Sequence, residues 1–518
     1  MKAQYLMGID LGSSLVKAAV YDLDDDCVAA VEKPAPSEHP RPDVFLQSGE
    51  DFLKIALSAA ADVVEKSGIE GSAVAAIGFS GQMGGAIGID AHFNAVTEWS
   101  NPLDSRYMSH TAHMLHEAGQ QILRQSGSNA PYFAPKILWF KHDFPEVYRR
   151  VAKFVFLAGF VAGKMAGLGA DDAFVDRTYL EMSGIADIPQ NKWSDELCDR
   201  FDIGSRRLPR IIESTSIIGR LTKEAADACG LISGIPLVAG AGDKPAGYIG
   251  AGIVKPGLLI DEAATFAALS LCVDRYVPDL EFRTLENIPS PIPGLYFPTM
   301  ILIGSGATHK WFRDTFAGKE QDEAARAGVS AFEILDRRAA GVQPGSGGLL
   351  AIGMLGGRGY PSDPDVRGLF MGFSFDHKKE HFYRALLESF AYEYGYALKV
   401  MRKSYPDVIP TEVRVIGGGA ASDLWNQIKS DVTGLPYVRL GTHDYALRGD
   451  ALIAGAGVGV YTDLQRQAAK LEIRGKEYRP NEANHRQYEK YVKLYENLFD
   501  RLRGSFQELR NLDTDSSS

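Results

Sequence analysis

Gly8-Ile9-Asp10-Leu11-Gly12-Ser13-Ser14 is the stretch on which the reading of the fold turns. It ends a strand candidate, residues 5–10, on a carboxylate and a turn of Gly and Ser. A β-branched second strand, residues 15–21, and a polar turn, residues 22–26, follow it. A buried strand closing on a carboxylate beside such a turn can serve phosphate chemistry. The turn's N–H groups face phosphate oxygens, and Asp10 holds Mg²⁺ directly or through its waters. The same residues also read as a plain hairpin with a turn aspartate. Neither a G-x-x-x-x-G-K-[ST] loop nor a G-x-G-x-x-G after the first strand is present, so the two common nucleotide fingerprints do not apply.

Working outward, residues 52–66 have amphipathic helical spacing and residues 73–79 form an apolar strand. A tight loop, Ser80-Gly81-Gln82-Met83-Gly84-Gly85, comes next, and a strand resumes at 87–90. Residues 111–124 and 146–166 are expected to be helical. A second block opens with a strand at 236–240, a turn at 241–245 and a small-residue helix at 246–252. Val254-Lys255-Pro256-Gly257 is a break, which divides the expected domains into 1–253 and 254–518. Residues 258–261 then open a strand like the one at the N-terminus, so a strand–polar turn–strand unit stands early in each half. Residues 412–416 form a strand ending in Gly417-Gly418-Gly419-Ala420. A helix follows at 422–433, with Leu424, Trp425, Ile428 and Val432 on one face, and another at 451–460. The last helix, 482–509, carries a stripe from Tyr488 to Leu509 expected to pack on the body of the protein, and residues 513–518 form a polar tail expected to be disordered.

The bulk numbers narrow the function classes. At roughly 100–200 residues per domain, 518 residues make two or three domains. The chain is 45% hydrophobic and 23% charged, which suits large buried cores. A net charge of −11 without a Lys/Arg-rich run argues against nucleic-acid binding. The four cysteines form no C-x-x-C pair and read as small buried hydrophobes. No secretory signal or stretch of transmembrane length is visible, so no membrane is expected and the cytoplasm is the expected compartment.

Two further motifs carry chemistry. In Gly240-Ala241-Gly242-Asp243-Lys244-Pro245 a lone acid sits among small residues at a turn into a helix, where it can act as base toward a hydroxyl or simply cap the helix. The three glycines at 417–419 let a flat ring or a phosphate lie against the backbone, or make a tight turn. Together with Asp10, Gly12-Ser13-Ser14 and Gly81-Gln82-Met83-Gly84-Gly85, this set resembles the FGGY carbohydrate kinase family, in its xylulokinase-like branch, over about residues 7–509. Ala134-Pro135-Lys136-Ile137-Leu138-Trp139, Trp311-Phe312-Arg313-Asp314 and Gly449-Asp450-Ala451-Leu452 support it.

The resemblance implies an α/β fold of two actin-like, ribonuclease-H-like domains around a cleft. The N-terminal domain would bind sugar and the C-terminal domain ATP. It implies ATP and Mg²⁺ as cofactors, a small sugar or polyol as partner, a homodimer, and phosphorylation of a hydroxyl by in-line transfer. Asp10 would be the metal-linked acid and Asp243 the catalytic base. Gly12, Ser13, Ser14 and Thr265 would face phosphates; Gly417, Gly418, Gly419, Ala420 and Asn426 would face adenine. Gln82, Met83, Gly84, Asp104, Arg106 and Lys244 would line the substrate side. Three departures stand out. Xylulokinases carry His where this chain has Gly84, often Asn where it has Lys244, and Gly-Thr-Ser where it has Ala264-Thr265-Phe266. Gly84 suggests room for a longer acceptor. Lys244 suggests a partner for an anionic acceptor end or for the transferring phosphate; the plainer readings are a relaxed turn and a lysine paired with an acid. The altered third motif is the one feature favouring a nucleotide-driven binding or regulatory protein without sugar turnover.

Overall fold

In the computed structural model, which describes residues 4–441, 444–470 and 475–515, the N-terminal hairpin forms. Strand β1 (Tyr5–Leu11) pairs antiparallel with β2 (Leu15–Asp22), and β3 (Cys27–Pro34) adds to β2. β1 is also parallel to β4 (Val74–Gly81), which is parallel to β6 (Pro236–Gly242); β5 (Ile217–Arg220) closes that edge. The order of this six-stranded sheet is β5-β6-β4-β1-β2-β3. Six of the seven residues of β1 are buried, as a strand covered on both faces requires.

The second half repeats the plan. β7 (Leu258–Glu262) pairs antiparallel with β8 (Ala267–Leu271), and the meander continues through β10 (Tyr296–Leu302) to β9 (Glu286–Pro289). β7 is parallel to β11 (Glu412–Ile416), β11 is parallel to β12 (Tyr437–Arg439), and β13 (Lys476–Tyr478) ends the seven-stranded sheet. The weak repeat in the sequence is therefore a repeat of topology. Two such α/β halves facing one cleft are the actin-like arrangement.

Five helices set up the cleft: α1 (Asp243–Gly250), α2 (Lys379–Ser404), α3 (Asp423–Thr433), α4 (Tyr445–Gly457) and α5 (Glu482–Asp515). α4 leaves the second half and lies on the first sheet. Gly8 and Gly78, paired in adjacent strands, make room for it. A Cβ on Gly8 would stand 2.5 Å from the Leu447 carbonyl, and one on Gly78 would stand 2.3 Å from that of Asp450. α1 leans the other way: the Tyr248 hydroxyl meets Ser270 Oγ at 2.9 Å, and its ring meets Phe297 edge-on at 5.0 Å. The two helices touch backbone to backbone, because a Cβ on Gly250 or Gly449 would lie 1.8 or 1.9 Å from a carbonyl oxygen of the other helix.

Several expectations are corrected. Residues 146–166 are not one helix: Pro145–Arg150 and Leu157–Ala166 are helical, and a strand, Lys153–Val155, separates them because it pairs with Ile87–Ile89. Residues 241–245 are not a turn; β6 runs through Gly242, and α1 begins at Asp243. Cys27, unlike the other three cysteines, is exposed. The stripe of α5 packs against α2 and α3 through Tyr488, Tyr495, Leu498, Phe499 and Phe506, although Leu509 at its end is exposed. α5 continues through Asp515, so the tail expected to be disordered begins as helix; residues 516–518 lie outside the described residues.

Candidate active site

The end of β1 and the N-termini of α1 and α4 converge on one cavity of about 510 Å³ between the halves. Asp10, Asp243, Lys244, Glu262, Gly417 and Asp444 are on its walls. Both helix N-termini present the positive ends of their dipoles there, a setting that favours anions. A second cavity of about 770 Å³ shares Ala264, Gly418 and Arg439 with the first and continues into the second half, between Trp425 and Phe332, past Glu333 and Asp336. One space polar and charged, the next partly aromatic, is a shape that a polyphosphate with a flat base would fit.

Asp10 is 6% exposed and accepts a hydrogen bond from Ser80 Oγ at 3.0 Å. Burial, then the charges of Asp444 and Asp243, push its pKa up to about 7, against the pull of Lys17 and Ser80. Among the described residues no group of three His, Cys, Asp or Glu side chains is placed to hold a metal. A divalent cation on Asp10 would take its other ligands from phosphate and water, as Mg²⁺ commonly does, and would relieve the crowding of carboxylates. The residues present therefore fit Mg²⁺ arriving with a nucleotide.

Asp243 is the first residue of α1, and its Oδ1 accepts the N–H of Lys244 at 2.8 Å. Burial raises its pKa to about 6; Lys244 opposes the rise and Glu262 adds to it. The strand before it is held firmly. Thr178 Oγ1 accepts the N–H of Gly242 at 2.8 Å, and the Tyr179 hydroxyl contacts the carbonyls of Ala241 and Gly81 at 3.2 and 3.1 Å. The glycine-rich turn is equally specific. Gly417 has φ 87°, a conformation that favours glycine, and a Cβ there would press on the Ala263 carbonyl at 2.8 Å.

Of the residues expected on the substrate side, Lys244 lines this cavity and the other five lie outside its lining; Gln82 belongs to a tightly bonded group of its own. Gln82 Nε2 donates to Gln47 Oε1 at 3.2 Å, Ser13 Oγ donates to Gln82 Oε1 at 3.1 Å, and Asn101 Nδ2 donates to Gln47 Oε1 at 3.1 Å. Met83 packs on Gly242, next to Asp243: a Cβ on Gly242 would be 2.6 Å from its sulfur. Asp104 is fully buried with both oxygens on Arg106, at 2.9 and 2.5 Å, and that guanidinium lies 4.8 Å from the Trp139 ring centroid, in a different cavity. Gly84 leaves no room: a Cβ there would stand 2.7 Å from Pro102 Cγ and 3.3 Å from the Tyr132 ring, so the expected space is filled.

The structure thus brings Asp10, Asp243, Lys244, Gly417, Gly418 and Ala420 onto one cavity wall, with Thr265 and Gly419 on the adjoining one. Gly12, Ser13 and Ser14 make the turn after Asp10 but lie outside the lining of both. Asn426 is fully buried beneath the glycine turn, donating to the Ala420 carbonyl at 2.8 Å. Sequence reasoning missed Lys17, whose ammonium reaches Asp444 at 2.6 Å and which is the β2 partner of Asp10. The hairpin register would have shown it. It also missed Gln47, Asn101, Glu262, Asp444 and the role of Lys136.

Lys136 is wholly buried in an apolar helix and donates to the carbonyls of Gly84, Ser100 and Asn101 at 3.0, 2.6 and 2.8 Å. Its three N–H bonds meet three acceptors, which holds both substrate-side loops on one ammonium. Lys136→Met is expected to lower the melting temperature by several degrees, since it takes a hydrogen bond from the Gly84, Ser100 and Asn101 carbonyls, of which Asn101 keeps the N–H of Asp104, and a buried carbonyl left unpaired costs about 1–3 kcal/mol. Thermal melting checks this; an unchanged melting point would contradict it.

A cleft between two such halves, walled by Asp10, Asp243, Lys244 and the glycine turn at 417–418, is the arrangement of a small-molecule phosphotransferase. The chain matches the N-terminal domain of the FGGY family of carbohydrate kinases over residues 5–250 and its C-terminal domain over residues 278–458, and it belongs to that family. It is 25% identical over 501 residues to the xylulose kinase of Bacillus subtilis, spanning 96% of this chain and 97% of that one. It is 28% identical over 492 residues to the autoinducer-2 kinase of Yersinia enterocolitica, spanning 92% and 90%. The crystal structure of gluconate kinase from Lactobacillus acidophilus superposes with a TM-score of 0.88 at 23% identity, covering 98% of this chain and 99% of that one, which shows a shared fold.

Proposed function

We propose that this carbohydrate kinase transfers the γ-phosphoryl group of ATP to a hydroxyl of a small sugar or polyol, with Asp243 as base. The observation that carries the reading is Asp243, its pKa raised to about 6, in the same cavity as Asp10 and the glycine turn at 417–418. A carboxylate of that pKa is ionised at neutral pH and still basic enough to take a proton in the transition state. The acceptor oxygen bonds to the γ-phosphorus, the bond from phosphorus to the β–γ bridging oxygen breaks with its electrons leaving on ADP, and the hydroxyl proton passes to Asp243. A bound Mg²⁺ would supply positive charge that offsets the charge of the phosphates. Asp10 would hold it, and the turns at 12–14 and 264–266 would steady the phosphates. The nucleoside would occupy the 770 Å³ cavity, where Asn426 keeps the glycine turn in shape.

We assign residues 1–253 to acceptor binding and residues 254–518 to nucleotide binding. The cytoplasm is the compartment that suits ATP use. Among the described residues no helix is long and apolar enough to cross a membrane.

The acceptor is proposed to differ from D-xylulose. At position 84 this chain has no imidazole to offer a substrate hydroxyl, and Pro102 and Tyr132 pack where a side chain would begin. A site missing the partner of a substrate hydroxyl loses discrimination for it, up to about 10⁴-fold in strong cases. The test is kcat/KM with ATP for ketopentoses, ketohexoses, pentitols, tetritols and sugar acids. A compound other than D-xylulose is expected to be best; D-xylulose at the top of the series would contradict the assignment.

A further inference from the structure

Lys244 follows the base by one residue, and its ammonium crosses the cleft to pair with the Glu262 carboxylate. Lys244 belongs to α1 of the first half, and Glu262 ends β7 of the second. Both side chains are mostly withdrawn from solvent, at 20% and 26% exposure, and both line the cavity of Asp10 and Asp243. Burial works against the Lys244 charge, but Glu262 and Asp243 outweigh it and keep the ammonium ionised. The partner locates the lysine. Glu262 stands directly before the turn at 263–266, and Ala264, Gly417 and Gly418 border the same space, whereas Gln47, Gln82 and Asn101 lie outside its lining. The other lysine on this wall, Lys17, is already bound to Asp444.

We infer that Lys244 is the cation that neutralises the transferring phosphoryl group, and that Glu262 holds it in the cleft until the nucleotide arrives. The inference rests on the kinase reading above and adds a residue role and an exchange of partners to it. A γ-phosphoryl group placed within reach of Asp243 lies beside Lys244. Its negative oxygens repel Glu262 and compete for the ammonium, and a compact lysine charge on a flexible stem can change partner with little movement. Lys244 then meets the charge spread over the equatorial oxygens during transfer, where fixed cations act most strongly. This role makes Lys244 selective for a nucleotide that carries a γ-phosphoryl group.

Calorimetry with ADP and with the β,γ-imido analogue of ATP, both at saturating Mg²⁺, tests this. Lys244→Met is expected to weaken the analogue at least about tenfold relative to ADP, the size of one lost charge-assisted hydrogen bond, and to leave acceptor affinity unchanged. Glu262→Gln is expected to act in the opposite direction and tighten the analogue relative to ADP, because it removes the competitor. Lys244→Arg retains a positive charge and should recover part of the preference; melting curves on each variant verify folding. An equal loss for both nucleotides, or weaker acceptor binding with the nucleotide ratio intact, overturns the assignment. Wild-type protein that binds neither nucleotide overturns the kinase reading, and this role with it.

Discussion

Asp243→Asn lowers the rate of acceptor phosphorylation by about 10²–10⁴-fold, the usual worth of general-base catalysis, and leaves the fold intact. The amide is nearly isosteric and its oxygen can still accept the Lys244 N–H that Asp243 Oδ1 accepts now, so α1 keeps its start. What disappears is the ability to take the hydroxyl proton. The same pKa sets two pH effects. Asp243 must be ionised to act, so kcat/KM in the wild type should fall as pH drops through about 6. Its folded pKa lies above the ordinary carboxylate value of 3.8, so its contribution to folding is fully present below that value and lost as pH rises through about 6. At pH 7 the Asn variant should therefore melt no lower than the wild type. A variant that melts normally and retains half its activity would remove Asp243 from the mechanism.

Asp10→Ala is expected to weaken Mg²⁺–nucleotide binding by about 10–100-fold while sparing the acceptor, a loss typical of disturbed metal shells. Asp10 lies near the end of β1 against Ser80 and faces the cavity with Asp444 and Asp243, the carboxylates that already raise its pKa. Removing one carboxylate relieves repulsion from Asp444 and Asp243 and should not harm the fold without nucleotide. It should harm the state in which a divalent cation offsets that repulsion. Separate calorimetric titrations with acceptor and with Mg²⁺–ATP distinguish the two, and unchanged affinities together with an unchanged Mg²⁺ dependence of rate would reduce Asp10 to a turn residue.

Much of the architecture was legible because its signals are local. A strand–polar turn–strand unit follows the N-terminus and opens again after residue 257, and Glu412–Ile416 is a short apolar run ending in glycines; β1, β2, β7 and β11 fall where these signals place them. Residues 146–166 misled because Phe154 and Val155 suit a buried strand or a buried helix equally; only pairing with Ile87–Ile89 decides. The site was legible where a residue sits at the end of a regular element: Asp10, Asp243 and Gly417 are marked by the small residues around them. It was not legible where the role depends on two distant segments. Glu262 is unremarked in β7 until Lys244 reaches it, and Lys136 sits in an apolar run until three carbonyls from two loops converge on it. Gly84 shows the same limit in reverse. An absent side chain in the sequence suggested space, but Pro102 and Tyr132, which only the fold brings there, fill it.

The proposed reaction of this cleft moves a phosphoryl group from ATP to an acceptor hydroxyl under the control of Asp243. Release of ADP, followed with Mg²⁺–ATP in the presence and absence of each sugar or polyol, in wild type and Asp243→Asn, tests it most directly. ADP release is expected only with an acceptor, matched by phosphorylated acceptor, and at least about 10²-fold slower in the variant. ATP loss of equal rate with and without every acceptor, or no turnover of any acceptor by a protein that binds the nucleotide, would contradict it.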